Sequence, residues 1–145
     1  MATRTARTAW KGSLDEGSGT VDLVSSGVGS FDVSFPRRTA EDANGITSPE
    51  ELIAAAHSSC FAMQLSGVLA EAGGTPQTLD VKADVTLRPD PEGGLRITDI
   101  KLTVRGTVTG LDGDQFVAAA QLASTTCPVS KALTGTTIAV DAALG

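Results

Sequence analysis

Two cysteines, Cys60 and Cys127, are the residues whose type and number most invite chemistry, and they stand 67 positions apart. That spacing fits neither a zinc site nor a CxxC motif. No apolar h-region follows the early cations Arg4, Arg7 and Lys11. The expectation is therefore a chain without a secretory signal, kept in a reducing cytoplasm. There a permanent staple is rare, and a transient catalytic disulfide is the usual reason to keep a pair. Cys60 falls within a long apolar segment with no Lys or Arg in helical reach. A buried thiol has a raised pKa and is inert unless a positive charge reaches it. Arg37 and Arg38, just upstream, are the cations on offer. Lowering a thiol from about 8.5 to 6.5 takes roughly 2.7 kcal/mol, which one desolvated guanidinium can supply. Without it, Cys60 reads as a core residue. Cys127 precedes Pro128, so it fits the N-cap of a short helix, where a thiolate is favoured. A small capping residue is the plainer reading.

Three further residues belong to this set. Glu50 and Glu51 are adjacent, but a helix start separates their roles. Thr47-Ser48-Pro49-Glu50-Glu51 places Ser48 at the N-cap, Pro49 at N1 and Glu51 at N3, closing a capping box. Glu51 then has a structural task, and Glu50 is free to pair with an arginine or simply to face solvent. His57, the only histidine, precedes Cys60 by three positions and shares its helix face. Neighbours on one helix rarely reach the in-line geometry of a Cys–His hydrolase, and no third residue orients the ring. His57 therefore reads as structural or supporting. No GxGxxG motif, P-loop, glycosidase-like carboxylate pair or metal cluster is present.

The elements that must position these residues follow from pattern. Short strands are expected at Thr8–Lys11, Gly19–Val24 and Asp32–Phe35. A loop from Pro36 to Ile46 carries both arginines. The helix opened by Ser48 should run to about Ala72 and end at Gly73-Gly74. At about 24 residues it would be near 36 Å long, too long for one small sheet to cover, which points to a dimer. Leu79, Val81, Ala83, Val85 and Leu87 alternate as in a strand over Thr78–Leu87. Leu95–Val108 is its hairpin partner. Asp112–Thr125 reads as a helix with Asp112 and Gln115 at capping-box spacing. A short helix from Pro128 and a last strand over Thr136–Ala142 complete an α+β pattern with an antiparallel sheet.

The 145 residues fit one domain, 1–145, and 41% hydrophobic residues suffice for a core. With aromatics at 3%, that core must be mostly Ala, Val, Leu and Ile. A net charge of −6 argues against nucleic-acid binding, which needs a basic patch. Leu52–Ala70 carries no charge and approaches a membrane span in length. His57, Ser58, Ser59, Gln64 and Ser66 interrupt it, so a helix buried in the core of a soluble protein or of a dimer is the better reading.

The run Ser48-Pro49-Glu50-Glu51-Leu52-Ile53-Ala54-Ala55-Ala56-His57-Ser58-Ser59-Cys60-Phe61-Ala62-Met63 closely resembles the signature of the osmotically inducible protein C and organic hydroperoxide resistance family. Cys127-Pro128-Val129-Ser130 resembles its second cysteine motif. The resemblance covers nearly the whole chain, and His57 favours the OsmC branch. It implies an OsmC-like fold, with antiparallel sheets wrapped around central helices in an intertwined homodimer. It also implies an antioxidant thiol peroxidase acting on organic hydroperoxides, with no metal, haem or flavin. On this resemblance Cys60 matches the peroxidatic cysteine and Cys127 the resolving one. Glu50 matches the acid that holds the catalytic arginine, and Arg38 aligns best as that arginine, with Arg37 the alternative register. A small dithiol or lipoyl-type reductant would restore the thiols. Glu50 and Cys60 are ten positions apart, about 15 Å along a straight helix. One guanidinium cannot touch both in one chain, so a composite site from two chains is expected. An apolar pocket including Phe61 and Met63 would favour organic substrates. Two other functions fit the residues: an apolar-ligand-binding homodimer and a general thiol–disulfide oxidoreductase.

Overall fold

Alternating side chains govern the largest sheet in the computed structural model, which describes Met1–Gly145. In β4 (Thr75–Pro89), Leu79, Val81, Ala83 and Val85 turn inward while Asp80, Lys82 and Asp84 face water. In β5 (Leu95–Thr109), Ile100, Leu102 and Val104 are buried. The two strands form the expected antiparallel hairpin, with bulges at Pro76/Thr78 and Thr86/Leu87. Gly106 of β5 is a close approach: a Cβ there would lie 2.8 Å from Leu79 and 3.1 Å from Phe116.

The chain packs as two compact units, Met1–Leu52 and Ile53–Gly145, each described by itself. In the first, β1 (Arg7–Lys11), β2 (Ser18–Asp22) and β3 (Ser30–Val33) form an antiparallel meander. The segment after it is helical rather than the expected loop: α1 spans Phe35–Thr39. Ser34 caps it and Pro36 lies in its first turn, where a missing N–H costs nothing.

α2 (Pro49–Glu71) starts in the first unit and continues through the second. Gly73, at φ +91°, ends it by turning left-handed. His57, Phe61, Leu65, Val68 and Leu69 form its buried face in the second unit. Ala55, Ala56, Ser59, Met63 and Gly67 remain exposed. By length and composition the helix could cross a membrane (23 residues, mean hydropathy 1.4), yet only 28% of its most apolar window is buried. One small sheet thus leaves a face of the helix bare, as its length predicts.

Phe61, Leu65 and Leu69 join Leu102, Val104, Phe116, Ala120, Ala123 and Cys127 in the core of the second unit. α3 (Gly113–Thr126) carries the capping box expected from Asp112 and Gln115, with both hydrogen bonds at 2.9 Å. α4 (Pro128–Ala132) follows at once, and β6 (Thr137–Leu144) returns to the sheet. β6 departs from the antiparallel expectation by pairing with β5 in parallel. The reason is the connection: a helical crossover brings a strand back in the same direction as the one before it.

Candidate active site

The first unit builds a cation held by an acid. Ser34 Oγ accepts the Arg37 N–H at 3.4 Å, and this turn presents Arg38 from the end of α1. Arg38 Nε donates to both Glu50 oxygens, at 3.1 and 3.2 Å, and Nη2 donates to Oε1 at 2.7 Å. Glu50 is buried and Arg38 is about a third exposed (32%). Planar guanidinium and carboxylate thus meet fork to fork, the strong and directional form of this pair. Arg37 makes no ion pair. The split between the two glutamates follows the sequence pattern in part. Ser48 Oγ accepts the Glu51 N–H at 3.2 Å. The Glu51 carboxylate, however, accepts from the Thr47 hydroxyl instead of closing the box on Ser48.

Arg38 also lines a cavity of about 430 Å³ in this unit, with Trp10, Val21, Val33, Phe35 and Leu52 among its walls. Phe61 and Met63 do not face one pocket as expected. Phe61 is fully buried in the core, whereas Met63 is exposed. Residues two apart on a helix point to opposite sides, so the pair could not share a wall.

The second unit builds a thiol pair. Cys60 sits mid-way along α2, half-buried, and Cys127 is the fully buried junction of α3 and α4. Their sulfurs are 3.2 Å apart and share a hydrogen bond. A disulfide needs about 2.05 Å, so closure requires roughly an ångström of movement. Gln64 Nε2 donates to Thr126 Oγ1 at 3.0 Å, tying α2 to the residue before Cys127.

The two sulfurs lie in unlike surroundings. Burial pushes the Cys60 thiol up, opposed by the Val129 N–H and reinforced by Cys127. At Cys127 burial also acts upward, but the Ser130 N–H, Cys60, the Ser130 hydroxyl and the Val129 N–H together bring it below the usual thiol value. The Cys127 side chain makes no cap hydrogen bond to this helix start. The negative charge of the pair therefore favours Cys127 until a cation reaches Cys60.

Sequence reasoning left Ser130 without a role. Its hydroxyl lies 2.7 Å from Nε2 of His57, and both residues are buried. Burial lowers the His57 pKa, so the ring is neutral. Position three of the short helix after Cys127 was the available signal, since that N–H and side chain face an N-cap residue. No group of three His, Cys, Asp or Glu side chains is placed to hold a metal ion.

A family described as OsmC-like protein matches residues 41–142. The chain is 42% identical over 124 residues to the peroxiredoxin OsmC of Escherichia coli K12, covering 86% of this chain and 85% of that one. The chain belongs to the OsmC-like protein family. Another relative is the organic hydroperoxide resistance protein-like 2 of Staphylococcus epidermidis, 30% identical over 71% of each chain. Among solved structures, the organic hydroperoxide resistance protein OhrB of Bacillus subtilis superposes with a TM-score of 0.72 at 28% identity, covering 97% of this chain and 98% of that one. The fold is thus the OsmC-like one that the motifs implied. The matched region contains Glu50, Cys60 and Cys127 and begins just after Arg38.

Proposed function

We propose that this OsmC-like protein is a thiol-dependent peroxidase that reduces organic hydroperoxides to alcohols. The observation that carries the reading is the pair of free thiols, Cys60 and Cys127, 3.2 Å apart across 67 positions. Relatives named peroxiredoxin and organic hydroperoxide resistance protein supply the substrate class.

The Cys60 thiolate attacks the distal oxygen of ROOH. The O–O bond breaks, an alcohol leaves, and Cys60 becomes a sulfenic acid. Cys127 then attacks the sulfenic sulfur, forming the Cys60–Cys127 disulfide and releasing water. An external dithiol, small or lipoyl-type, restores both thiols by exchange. Because burial raises Cys60, a guanidinium must supply charge to it, and Arg38 is that group. Arg38 also stabilises charge developing on the leaving oxygen. Its Glu50 clamp fixes its direction. The apolar walls beside Arg38 suit an alkyl or aryl group on the peroxide.

The working form is a homodimer in which the Arg38–Glu50 pair of one copy serves Cys60 of the other. Two facts support this. α2 is unbroken, which puts ten positions, about 15 Å, between Glu50 and Cys60. Its apolar outer face, with Ala56, Ser59 and Met63, is bare. The family match, residues 41–142, spans the boundary at Leu52, which supports reading the chain as one domain; the cytoplasm is its proposed compartment.

Stopped-flow oxidation of the reduced protein by a panel of peroxides, with mass spectrometry of the product, tests the reading. Cumene hydroperoxide should react faster than hydrogen peroxide and yield the Cys60–Cys127 disulfide. Faster reaction with small disulfides than with any peroxide would make the protein a thiol–disulfide oxidoreductase instead.

A further inference from the structure

The Cys60–Cys127 contact is the middle rung of a short ladder in the second unit. His57, Cys60 and Gln64 fall at i, i+3 and i+7 of α2, one stripe of the helix over about 10 Å. Facing them are Ser130, Cys127 and Thr126, met in reverse chain order. His57 Nε2 lies 2.7 Å from Ser130 Oγ, the sulfurs are 3.2 Å apart, and Gln64 Nε2 donates to Thr126 Oγ1 at 3.0 Å. His57 and Ser130 are buried, and the other nitrogen of the ring has no hydrogen-bond partner in the protein. Thr126 donates its own hydroxyl hydrogen to the Leu122 carbonyl, which leaves a lone pair aimed for Gln64. No backbone hydrogen bond crosses from α2 to this junction. Cys127 is itself the bend between α3 and α4, extended in backbone and followed by Pro128. Core packing buries it, but apolar contact has no preferred direction, whereas the two outer rungs do.

We infer that the His57–Ser130 and Gln64–Thr126 hydrogen bonds form a bracket that positions Cys127 for disulfide formation with Cys60. This deepens the peroxidase reading and rests on it for the disulfide. One bond alone is a pivot; a second, on the other side of the sulfurs, also stops rotation about the first. Two free thiols must give up relative motion to form one S–S bond. A bracket that already restricts the junction against α2 leaves less to give up. Once the S–S bond itself holds the junction, the bracket adds little. Loss of either outer rung therefore loosens the dithiol more than the disulfide and moves the equilibrium toward the dithiol. The four bracket residues are positioning residues, chemically unchanged by the step.

Equilibration with glutathione buffers, quenched and read by mass spectrometry, tests the bracket. In that exchange the Cys60–Cys127 bond breaks, two glutathione thiols become one glutathione disulfide, and their two protons end on the protein's sulfurs. Thr126→Val and Ser130→Ala should each lower the equilibrium constant for the protein disulfide about fivefold, the order of one net hydrogen bond. That is a rise in reduction potential of about 20 mV for each and about 40 mV for both together. Thr126→Ser, which keeps the hydroxyl, should stay within about twofold of wild type. Gln64→Met removes the same rung as Thr126→Val from its other end, and this half-buried pair carries the test if Ser130→Ala does not fold. After peroxide treatment, the sulfenic acid should persist about fivefold longer in Thr126→Val before the disulfide closes. A potential unmoved in Thr126→Val and Gln64→Met, or moved equally in Thr126→Ser, overturns the inference. So does a wild type that forms no Cys60–Cys127 disulfide at any glutathione ratio. If wild type forms the disulfide with glutathione but no sulfenic acid with peroxide, the peroxidase reading fails, while the potentials still decide whether the bracket acts.

Discussion

The Arg38–Glu50 pair and the Cys60–Cys127 pair are built on opposite plans. The first joins residues 12 positions apart through three charge-assisted hydrogen bonds. Two neighbouring helix starts, each opened by a serine and a proline, set its geometry. The second joins residues 67 positions apart through one sulfur–sulfur contact, and core packing sets its geometry. The first unit holds a fixed charge and no cysteine. The second holds both cysteines, and burial raises the Cys60 thiol. On the proposed mechanism a reactive thiolate needs both. The charge is held by a fork of hydrogen bonds, whereas disulfide closure asks about an ångström of movement of the sulfurs.

That division can be broken in order of expected effect. Cys60→Ser should abolish hydroperoxide turnover with any dithiol. Cys127→Ser should allow a single oxidation, seen as a trapped sulfenic acid, with no recycling. Arg38→Met should slow Cys60 oxidation about 25-fold at pH 7, the thiolate fraction lost between a thiol of about 6.5 and one of about 8.5. Its rate should recover as pH rises. A rate within twofold of wild type would remove Arg38 from the mechanism. Glu50→Gln keeps the cation but loosens its aim, so about tenfold slower oxidation is expected. It should also cost about 1–2 kcal/mol in denaturant unfolding, the value of a charged hydrogen bond reduced for the exposed side of Arg38.

The smallest effect is on pH. Burial holds the His57 pKa below its unfolded value, so the unfolded chain binds more protons between the two. Stability should therefore fall as pH drops below about 6.5 and continue falling to the folded pKa. Denaturation midpoints of His57→Gln should lack this component. An equal acid slope in both proteins would show that His57 is not its source.

Local structure was legible in several places where the signal lay within a few residues. The Ser48 start of α2, the Asp112–Gln115 box and the alternation of β4 are all such cases. α1 was missed although Ser34-Phe35-Pro36 carries a similar serine–proline start, because Pro36 after a strand pattern read as a break. The candidate site was legible as a set of residues and not as an arrangement. The parallel direction of β6, the contact of His57 with Ser130 across 73 positions, and the cavity walls around Arg38 depend on chain return. Phe61 and Met63 were misread as neighbours because composition was weighed without helix phase.

The parallel seam of β5 and β6 carries one more consequence, in time. From Asp99↔Thr137 to Gly106↔Leu144, every pair is 38 positions apart. The β4–β5 hairpin can close from nearby residues, whereas the seam must wait for α3 and α4. Cys127 rides on that late crossover. At a synthesis rate of about 5–20 residues per second, Cys60 is made roughly 3–13 s before its partner. For that interval each new chain carries its first thiol without its second, and the two can meet only once α3 is complete.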